Sequence, residues 1–276
     1  MPELPEVEST RRSLLPIIGG RVVSVDLRRS DIVEGPRTPA ALLSGSSILA
    51  LHRHGKQLAI EATRGVVLIH LGMTGQLELA RVAGEDHASD RHTHAAWSLE
   101  LAAPPASPGL LWFRDPRRFG GLWTFPAMGE VRVRWNDLGP DALTISGEEL
   151  AGAVADSRRA IKAALLDQAA IAGVGNIYAD EALFRAGIRP GRRTSRLTRE
   201  QCERLAGAIR DVLAESIQSG GSTLRDYRDA AGQAGNFQSR HRVYGRGGEP
   251  CVVCGTCLTQ TTIAQRTTVY CRRCQH

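Results

Sequence analysis

Cys251-Val252-Val253-Cys254 and Cys271-Arg272-Arg273-Cys274 decide how the last part of this chain folds. The two Cys-x2-Cys turns stand 16 residues apart, and five of the six cysteines, Cys257 included, fall within the last 26 residues. Whether such thiols pair or bind metal depends on the compartment. No stretch approaches the roughly 18 consecutive apolar residues that span a bilayer. The acidic start, Pro2-Glu3-Leu4-Pro5-Glu6-Val7-Glu8, lacks the apolar core of a secretory signal. The expected place is therefore the cell interior, where disulfides are disfavoured. Each turn then presents two thiolates to one metal, and the spacing predicts a tetrahedral zinc on a β-hairpin, held by Cys251, Cys254, Cys271 and Cys274. Gly255, directly after Cys254, suits a left-handed turn. Cys254-x2-Cys257 is also a legal pair, so the ligand register stays open at this point. Cys202, in a helical stretch, reads as a small core residue.

The residues between the pairs have room for two short strands and a turn. Thr267-Thr268-Val269-Tyr270 is the expected returning strand, which puts Gln265 and Arg266 near the hairpin tip. An arginine held out on a rigid finger suits a phosphate or a groove, although a solvated arginine without a role fits the same pattern. Charge bears on the choice. From Gly232 to His276 there are six arginines (Arg240, Arg242, Arg246, Arg266, Arg272 and Arg273) against the single acid Glu249. The whole chain, with 35 Lys+Arg against 29 Asp+Glu, is only moderately basic at +6. Positive charge concentrated in one module points to a polyanionic partner, nucleic acid first.

The 276 residues can form one large domain or two to three modest ones. Before about residue 135, short β-rich runs recur between Gly, Pro and charged turns. They are Val22–Leu27, Ser47–Leu51, Gln57–Ala62, Val66–Leu71, Ala96–Leu101, Leu110–Phe113, Gly121–Phe125 and Val131–Trp135. This is the pattern of a sandwich or barrel, with Glu6–Pro16 as a helix in front and Pro104–Gly109 as a loop between strands. From Gly147 the period becomes helical. Ile161, Leu165 and Leu166 mark one helix and Ile177–Ala186 a second, stopped by Gly187. Thr198-x-x-Gln201 is a capping box for a third, which carries Leu205, Ile209, Val212, Leu213 and Ile217 and ends at Gly220-Gly221. Gly173-Val174-Gly175-Asn176 lies before the second helix, and Asn176 is placed to cap it. Such a turn favours a phosphate, and it serves equally as a plain tight turn.

Three further stretches carry unusual content. His70-Leu71-Gly72-Met73-Thr74-Gly75 sets a methionine between two glycines, and Asp115-Pro116-Arg117-Arg118-Phe119-Gly120 sets two arginines and a phenylalanine on a turn. Apolar wedges beside arginines suit entry into a base stack, while core residues flanking structural turns are the competing explanation. Arg91-His92-Thr93-His94 has too few partners for a metal and suits contact with solvent or phosphate. Removal of Met1 before Pro2 would expose a secondary amine able to form an imine with an electrophilic carbon, with Glu3 beside it as a proton donor.

Taken in order, these motifs, with Gly221-Ser222-Thr223-Leu224-Arg225-Asp226 and Val243-Tyr244-Gly245-Arg246, resemble the bacterial formamidopyrimidine-DNA glycosylases along essentially the whole chain. The resemblance implies an α+β protein in three parts. These are an N-terminal catalytic β-sandwich domain flanked by helices (1–135), a helix–two-turn–helix DNA-binding domain (136–231) and a four-cysteine β-hairpin zinc finger (232–276), with DNA in the cleft. It implies a monomer in the bacterial cytoplasm, at the nucleoid, with one structural zinc. The implied partner is double-stranded DNA containing oxidised bases or abasic sites. Pro2 would be the nucleophile at C1′, Glu3 the acid that opens the sugar, Lys56 an aid to β-elimination and Arg266 to δ-elimination. His70, His92, Arg117, Arg158 and Asn176 match DNA-contact positions, and Met73, Arg117 and Phe119 match the trio that fills the gap left by an extruded base.

This chain departs from the family's pattern in places. Arg158 stands where lysine is familiar, Thr93 replaces an acidic residue, and Cys257 replaces a proline. The lesion-capping stretch Thr223–Asn236 ends in Ala-Ala-Gly-Gln-Ala-Gly-Asn, which bears on base preference rather than on chemistry. Two alternatives share features. A glycosylase of oxidised pyrimidines similar to endonuclease VIII has the same architecture, but Leu4 stands where that enzyme usually has glycine. A non-catalytic zinc-finger DNA-binding protein explains the basic C-terminus and leaves Pro2-Glu3 without a reason.

Overall fold

In the computed structural model, which describes residues 2–80, 90–102 and 107–276, the chain divides between two units. One comprises Met1–Asn136 and Gly220–Gly235, the other Asp137–Ser219 and Asn236–His276. Among the described residues no helix is long and apolar enough to cross a membrane.

The first unit is built from two sheets. β1 (Arg21–Leu27), β7 (Thr93–Leu101), β8 (Ser107–Arg114) and β6 (Gln76–Ala80) form an antiparallel sheet in that order. The other runs β2 (Val33–Glu34), β9 (Gly121–Phe125), β5 (Gly65–His70), β4 (Gln57–Ala62) and β3 (Ile48–His54), with β2 parallel to β9. Alternation in the strands explains the sandwich. Leu58, Ile60, Val67, Ile69 and Leu122 from one sheet meet Val22, Leu77, Trp97, Leu99, Leu111 and Phe113 from the other in one core, which also takes Val7 and Leu14. Those two belong to helix α1 (Leu4–Ser13) and the turn that ends it.

β5 is apolar at nearly every position because both of its faces are covered. Val67 and Ile69 enter the sandwich core, while Val66 and Leu68 join Ala59, Met128 and Val131 on the outer side. The cover there is helix α2 (Met128–Trp135), a correction to the strand expected at Val131–Trp135. Val-Arg-Val-Arg-Trp alternates like a strand, but Met128, Val131 and Trp135 recur at helical spacing and leave Val133 exposed. Trp135 donates its indole N–H to Gln57 Oε1 at 2.9 Å. β2 and β6 had no counterpart among the expected runs. β2 is only two residues long, and β6 offers just two strongly apolar side chains, Leu77 and Leu79. Of the loop expected at 104–109, residues 104–106 lie outside the described residues and 107–109 begin β8.

Gly220–Gly235 belongs to this unit through bonds to α1 and its neighbours. Ser222 N–H donates to Glu6 Oε1 at 2.7 Å, the Tyr227 hydroxyl to the Glu6 carbonyl at 2.8 Å, and Ala230 N–H to Ser13 Oγ at 2.9 Å. Leu79 N–H in turn donates to the Ala230 carbonyl at 2.8 Å.

The second unit holds α3 (Gly147–Val154), α4 (Ile161–Leu165), α5 (Asn176–Arg185), α6 (Arg199–Gln218) and the hairpin β10 (Thr259–Ile263)–β11 (Arg266–Tyr270). Capping boxes at Ser146 and Thr198 start α3 and α6, satisfying N–H groups that a helix cannot bond internally. The Tyr178 and Ser216 hydroxyls, 2.7 Å apart, and the two-pronged Arg185–Glu215 pair tie α5 to α6. Asn176 is the first residue of α5 rather than its cap. Gly175 takes the cap position, and the Asn176 side chain is turned instead toward the Thr267 carbonyl, 3.1 Å away.

Candidate active site and nucleic-acid interface

Pro2 and Glu3 are both buried at the start of α1. Glu3 N–H donates to Glu6 Oε2 at 2.8 Å, so the Glu6 carboxylate fixes the entry of the chain with one oxygen and Ser222 with the other. One turn further on, Glu8 is gripped by Arg11, Arg12 and Arg53 at 2.8, 2.9 and 3.2 Å. Burial alone would raise the Glu8 pKa. The hydrogen bonds from Arg11 and Arg12 and the charges of Arg11 and Arg53 overcome it and bring the carboxyl to about 2.

Arg53 also donates to the Gly55 carbonyl at 3.1 Å and so braces the turn that carries Lys56. That turn is a two-residue hairpin between His54 and Gln57, with Gly55 at φ 54°, a conformation glycine adopts without strain. Lys56 is only 7% exposed. Gln57 pairs across the sheet with His70, whose pKa is lowered by burial and by the charge of Lys56, with Asp115 pulling the other way.

The His70–Gly75 and Asp115–Gly120 loops lie against each other. A Cβ on Gly72 would come within 2.3 Å of the Phe119 carbonyl carbon, so only glycine allows the backbones this close. Met73 is 41% and Phe119 55% exposed, and the Arg117 guanidinium lies 4.9 Å from the Phe119 ring centre. His92 is half-buried, its backbone N–H bonded to Asp90 at 2.9 Å. His94 does not face solvent or phosphate as its motif suggested. It is 2% exposed, with Nε2 2.8 Å from the Asp115 carbonyl.

In the second unit, Arg158 is exposed beyond α3, and Arg266 is exposed at the first position of β11. Ala264 and Gln265 form the hairpin tip, both at positive φ. The hairpin is rooted by Lys162, fully buried, which reaches Asp180 at 2.7 Å, Thr268 Oγ1 at 2.8 Å and the Thr267 carbonyl at 3.0 Å. Asp180 accepts from Val269 N–H at 3.1 Å. Glu181, next along α5, gathers the backbone N–H groups of Arg242, Val243 and Tyr244 at 2.8–3.0 Å. Neither acid stands out in the sequence, because the backbone groups they bind lie some 60 to 90 residues away.

Cys251, Cys254, Cys271 and Cys274 bring their sulfurs within 4.8 Å of one another. The Cys251–Cys274 and Cys254–Cys271 separations are 3.9 and 3.5 Å, too long for disulfides and close to the about 3.8 Å edge of a zinc–thiolate tetrahedron. The four thiols fit one structural zinc with no open position. Cys257 is exposed and turned toward the Gly248 carbonyl at 3.2 Å, which settles the ligand register. Gly255 has φ 71°, as its place after Cys254 requires.

Family models match most of the chain. They are the formamidopyrimidine-DNA glycosylase N-terminal domain over residues 1–122, the formamidopyrimidine-DNA glycosylase H2TH domain over 138–228, and a zinc finger found in FPG and IleRS over 248–276. The formamidopyrimidine-DNA glycosylase of Solibacter usitatus is 43% identical over 278 residues, covering 100% of this chain and 99% of its own. Among solved structures, the MutM (FPG) protein of Thermus thermophilus aligns with a TM-score of 0.84 at 41% identity, covering 99% of this chain and 98% of its own. A proline mutant of Lactococcus lactis FPG, in complex with DNA containing Fapy-dG, aligns with a TM-score of 0.88 at 30% identity and covers 100% of both chains.

Proposed function

Since this chain belongs to the formamidopyrimidine-DNA glycosylase family, we propose that it excises oxidised purines, 8-oxoguanine and formamidopyrimidines, from duplex DNA and then cleaves the strand as an abasic-site lyase. One observation carries this reading. Within a single unit, the buried Pro2, Glu3 and Lys56 accompany the exposed apolar tips Met73 and Phe119 beside Arg117. A base inside a duplex is out of reach of any nucleophile, so the nucleotide must swing out and side chains must hold the space it leaves. Met73, Arg117 and Phe119 take that role, with Arg117 meeting the orphaned cytosine. His70, His92, Arg158 and Asn176 contact the DNA backbone, and Leu4 with the family of relatives favours purines over the pyrimidine substrates of an endonuclease VIII-like enzyme.

The chemistry follows from the residue types. With Met1 removed, Pro2 carries an α-amine, a group that titrates near pH 8, and the charge of Lys56 favours its neutral form. Its lone pair bonds to C1′ of the damaged nucleotide, and the bond from C1′ to the base breaks, the base leaving with the electron pair and taking up the proton that the proline nitrogen gives up. Glu3 delivers a proton to the sugar ring oxygen as the ring opens, leaving an iminium between Pro2 and C1′. Loss of a C2′ proton expels the 3′ phosphate, with Lys56 assisting. Loss of a C4′ proton then expels the 5′ phosphate, with Arg266 assisting.

The enzyme works as a monomer in the bacterial cytoplasm, on nucleoid DNA, with residues 1–135, 136–231 and 232–276 as its catalytic, helical and zinc-finger parts. The test sets Met73→Ala against Lys56→Ala on 8-oxoguanine and preformed abasic duplexes at one ionic strength, because phosphate contacts make binding steeply salt-dependent. Met73→Ala should lose far more base excision than abasic nicking, whereas Lys56→Ala should lose both. Equal losses for Met73→Ala would make it a packing residue and end the wedge reading.

A further inference from the structure

Asp115 has no exposed surface, and its bonds lead into the segments that carry the DNA-contact side chains of the first unit. Its Oδ1 accepts the Thr74 hydroxyl at 2.5 Å and Arg117 N–H at 3.3 Å, and its Oδ2 accepts Gly120 N–H at 2.7 Å. Arg117 N–H also reaches Thr74 Oγ1 at 3.2 Å. On the other side, Asp115 N–H donates to the His92 carbonyl at 3.0 Å, and the Asp115 carbonyl accepts from His94 Nε2 at 2.8 Å. Thr74 follows Met73 in sequence and Gly120 follows Phe119, so three separate segments converge on one residue.

We infer that Asp115 is a positioning residue that locks the Met73 loop, the Arg117–Phe119 turn and the His92 segment into one block, so that the DNA wedge moves as a unit. The inference rests on the wedge role given above to Met73, Arg117 and Phe119. The physical need is plain. Side chains on loop tips that must displace a stacked base lose their effect when the loops yield, and misplacement of a reacting or inserting group is costly even at small distances. A fully buried carboxylate is expensive unless it is hydrogen-bonded, and here the bonds that satisfy it are the ones that join the loops. Gly72 adds the close backbone approach that lets Thr74 reach Asp115.

The test uses the full-length enzyme and compares Thr74→Val, which keeps the shape and removes the hydroxyl, with Thr74→Ser, which keeps the hydroxyl. Three readouts are taken under single-turnover conditions. They are 8-oxoguanine excision opposite cytosine and opposite adenine, nicking of a preformed abasic duplex, and the fluorescence of 2-aminopurine beside the lesion as a report of base extrusion. Loss of a hydrogen bond to a charged acceptor should slow extrusion and lower the ratio of excision to abasic nicking about tenfold in Thr74→Val. The cytosine-over-adenine preference should narrow, and Thr74→Ser should restore all three. Both Asp115 oxygens accept a backbone N–H, so Asp115→Asn sets an amide donor against one of those N–H groups in either orientation and should act in the same direction and more strongly. If that variant fails to fold, the Thr74 pair decides. An unchanged ratio in Thr74→Val, or a parallel fall of both activities, overturns the inference. Met73→Ala and Phe119→Ala run alongside. If they slow extrusion and Thr74→Val does not, the clasp is wrong and the wedge stands; if they do not slow it either, both fall.

Discussion

Both units bury a carboxylate at the root of the segments that carry their proposed DNA-contact residues, and they satisfy it by different chemistry. Asp115 is met by a hydroxyl and backbone N–H groups from its own and neighbouring turns. Asp180 faces Lys162 at 2.7 Å, with 1% and 0% of the two side chains exposed. Burial pushes the Asp180 carboxyl up, to about 6, against the pull of Lys162. The first arrangement draws on neutral donors from turns up to 41 residues apart in sequence, so removing one donor loosens one contact and leaves the others in place. The second joins α4, α5 and the finger hairpin through a charge pair, and it fails as a whole when one partner is removed. The first unit therefore holds the segments of Met73, Arg117 and Phe119 by turn geometry, and the second roots the hairpin that carries Arg266 by long-range pairing.

The largest expected effect tests whether the chemistry belongs to the first unit. Pro2→Gly, which keeps a primary α-amine once Met1 is removed, should cut base excision and strand nicking steeply, and any borohydride-trapped adduct that remains should sit on the N-terminal residue. Mass spectrometry of the active enzyme should show Met1 removed. Full nicking by Pro2→Gly without such an adduct, or Met1 retained in active protein, would place the nucleophile elsewhere.

Next in size is the metal, which concerns only the second unit. Cys254→Ala should lose zinc, as measured by elemental analysis, and DNA affinity with it, because a structural site of this kind contributes folding free energy directly. Cys257→Ala should keep both, since that thiol is turned away from the cluster. Equal zinc loss in the two variants would reverse the ligand register.

Cutting the charge pair sharpens the comparison directly. Lys162→Ala should destabilise the protein by about 3–5 kcal/mol in denaturant titration, the cost of leaving a buried carboxylate without its cation. Replacing both partners, Lys162→Met with Asp180→Leu, should recover most of that loss. A double variant as unstable as the single one would mean that the hydrogen bonds to Thr267 and Thr268, rather than the charge pair, hold the hairpin.

What can be read from the sequence follows the same division. The turns that carry Met73, Lys56 and Arg117–Phe119 are contiguous motifs, so a function concentrated in a few adjacent residues shows in the order of the amino acids alone. The zinc ligands show as a spacing, yet Cys254-x2-Cys257 is spaced identically, and only the direction of the Cys257 thiol separates the two. Helix α2 is hidden because Val131–Trp135 alternates like a strand and the covering of β5 by Met128 and Val131 is a tertiary fact. Lys162 gives no signal at all. Its partners Asp180 and Thr268 lie 18 and 106 residues onward, beyond any local periodicity. Thr74 stands in plain view inside a conspicuous motif, but a threonine beside a methionine does not announce a bond to a turn 41 residues away.

The smallest expected effect tests the claim that the first unit is organised by neutral contacts, because Glu8 is an exception to it. Its carboxyl, held at about 2 against an ordinary value of 4.5, owes this to Arg11, Arg12 and Arg53 despite burial that acts the other way. A folded-state pKa below the unfolded one means stability that is present above pH 4.5 and lost as pH falls through about 2. Because Arg11 and Arg12 are partly exposed, solvent screening brings the worth of the shift down to about 1–2 kcal/mol at neutral pH. Glu8→Gln should therefore lower the melting temperature at neutral pH and flatten its decline between pH 4.5 and 2, so that the two proteins converge in acid. Arg53 also holds the Gly55 carbonyl beneath Lys56, so the same variant should slow abasic-site nicking more than it weakens DNA binding. Parallel melting curves at every pH would show that the arginines are satisfied by solvent, and that the Lys56 turn depends on its glycine alone.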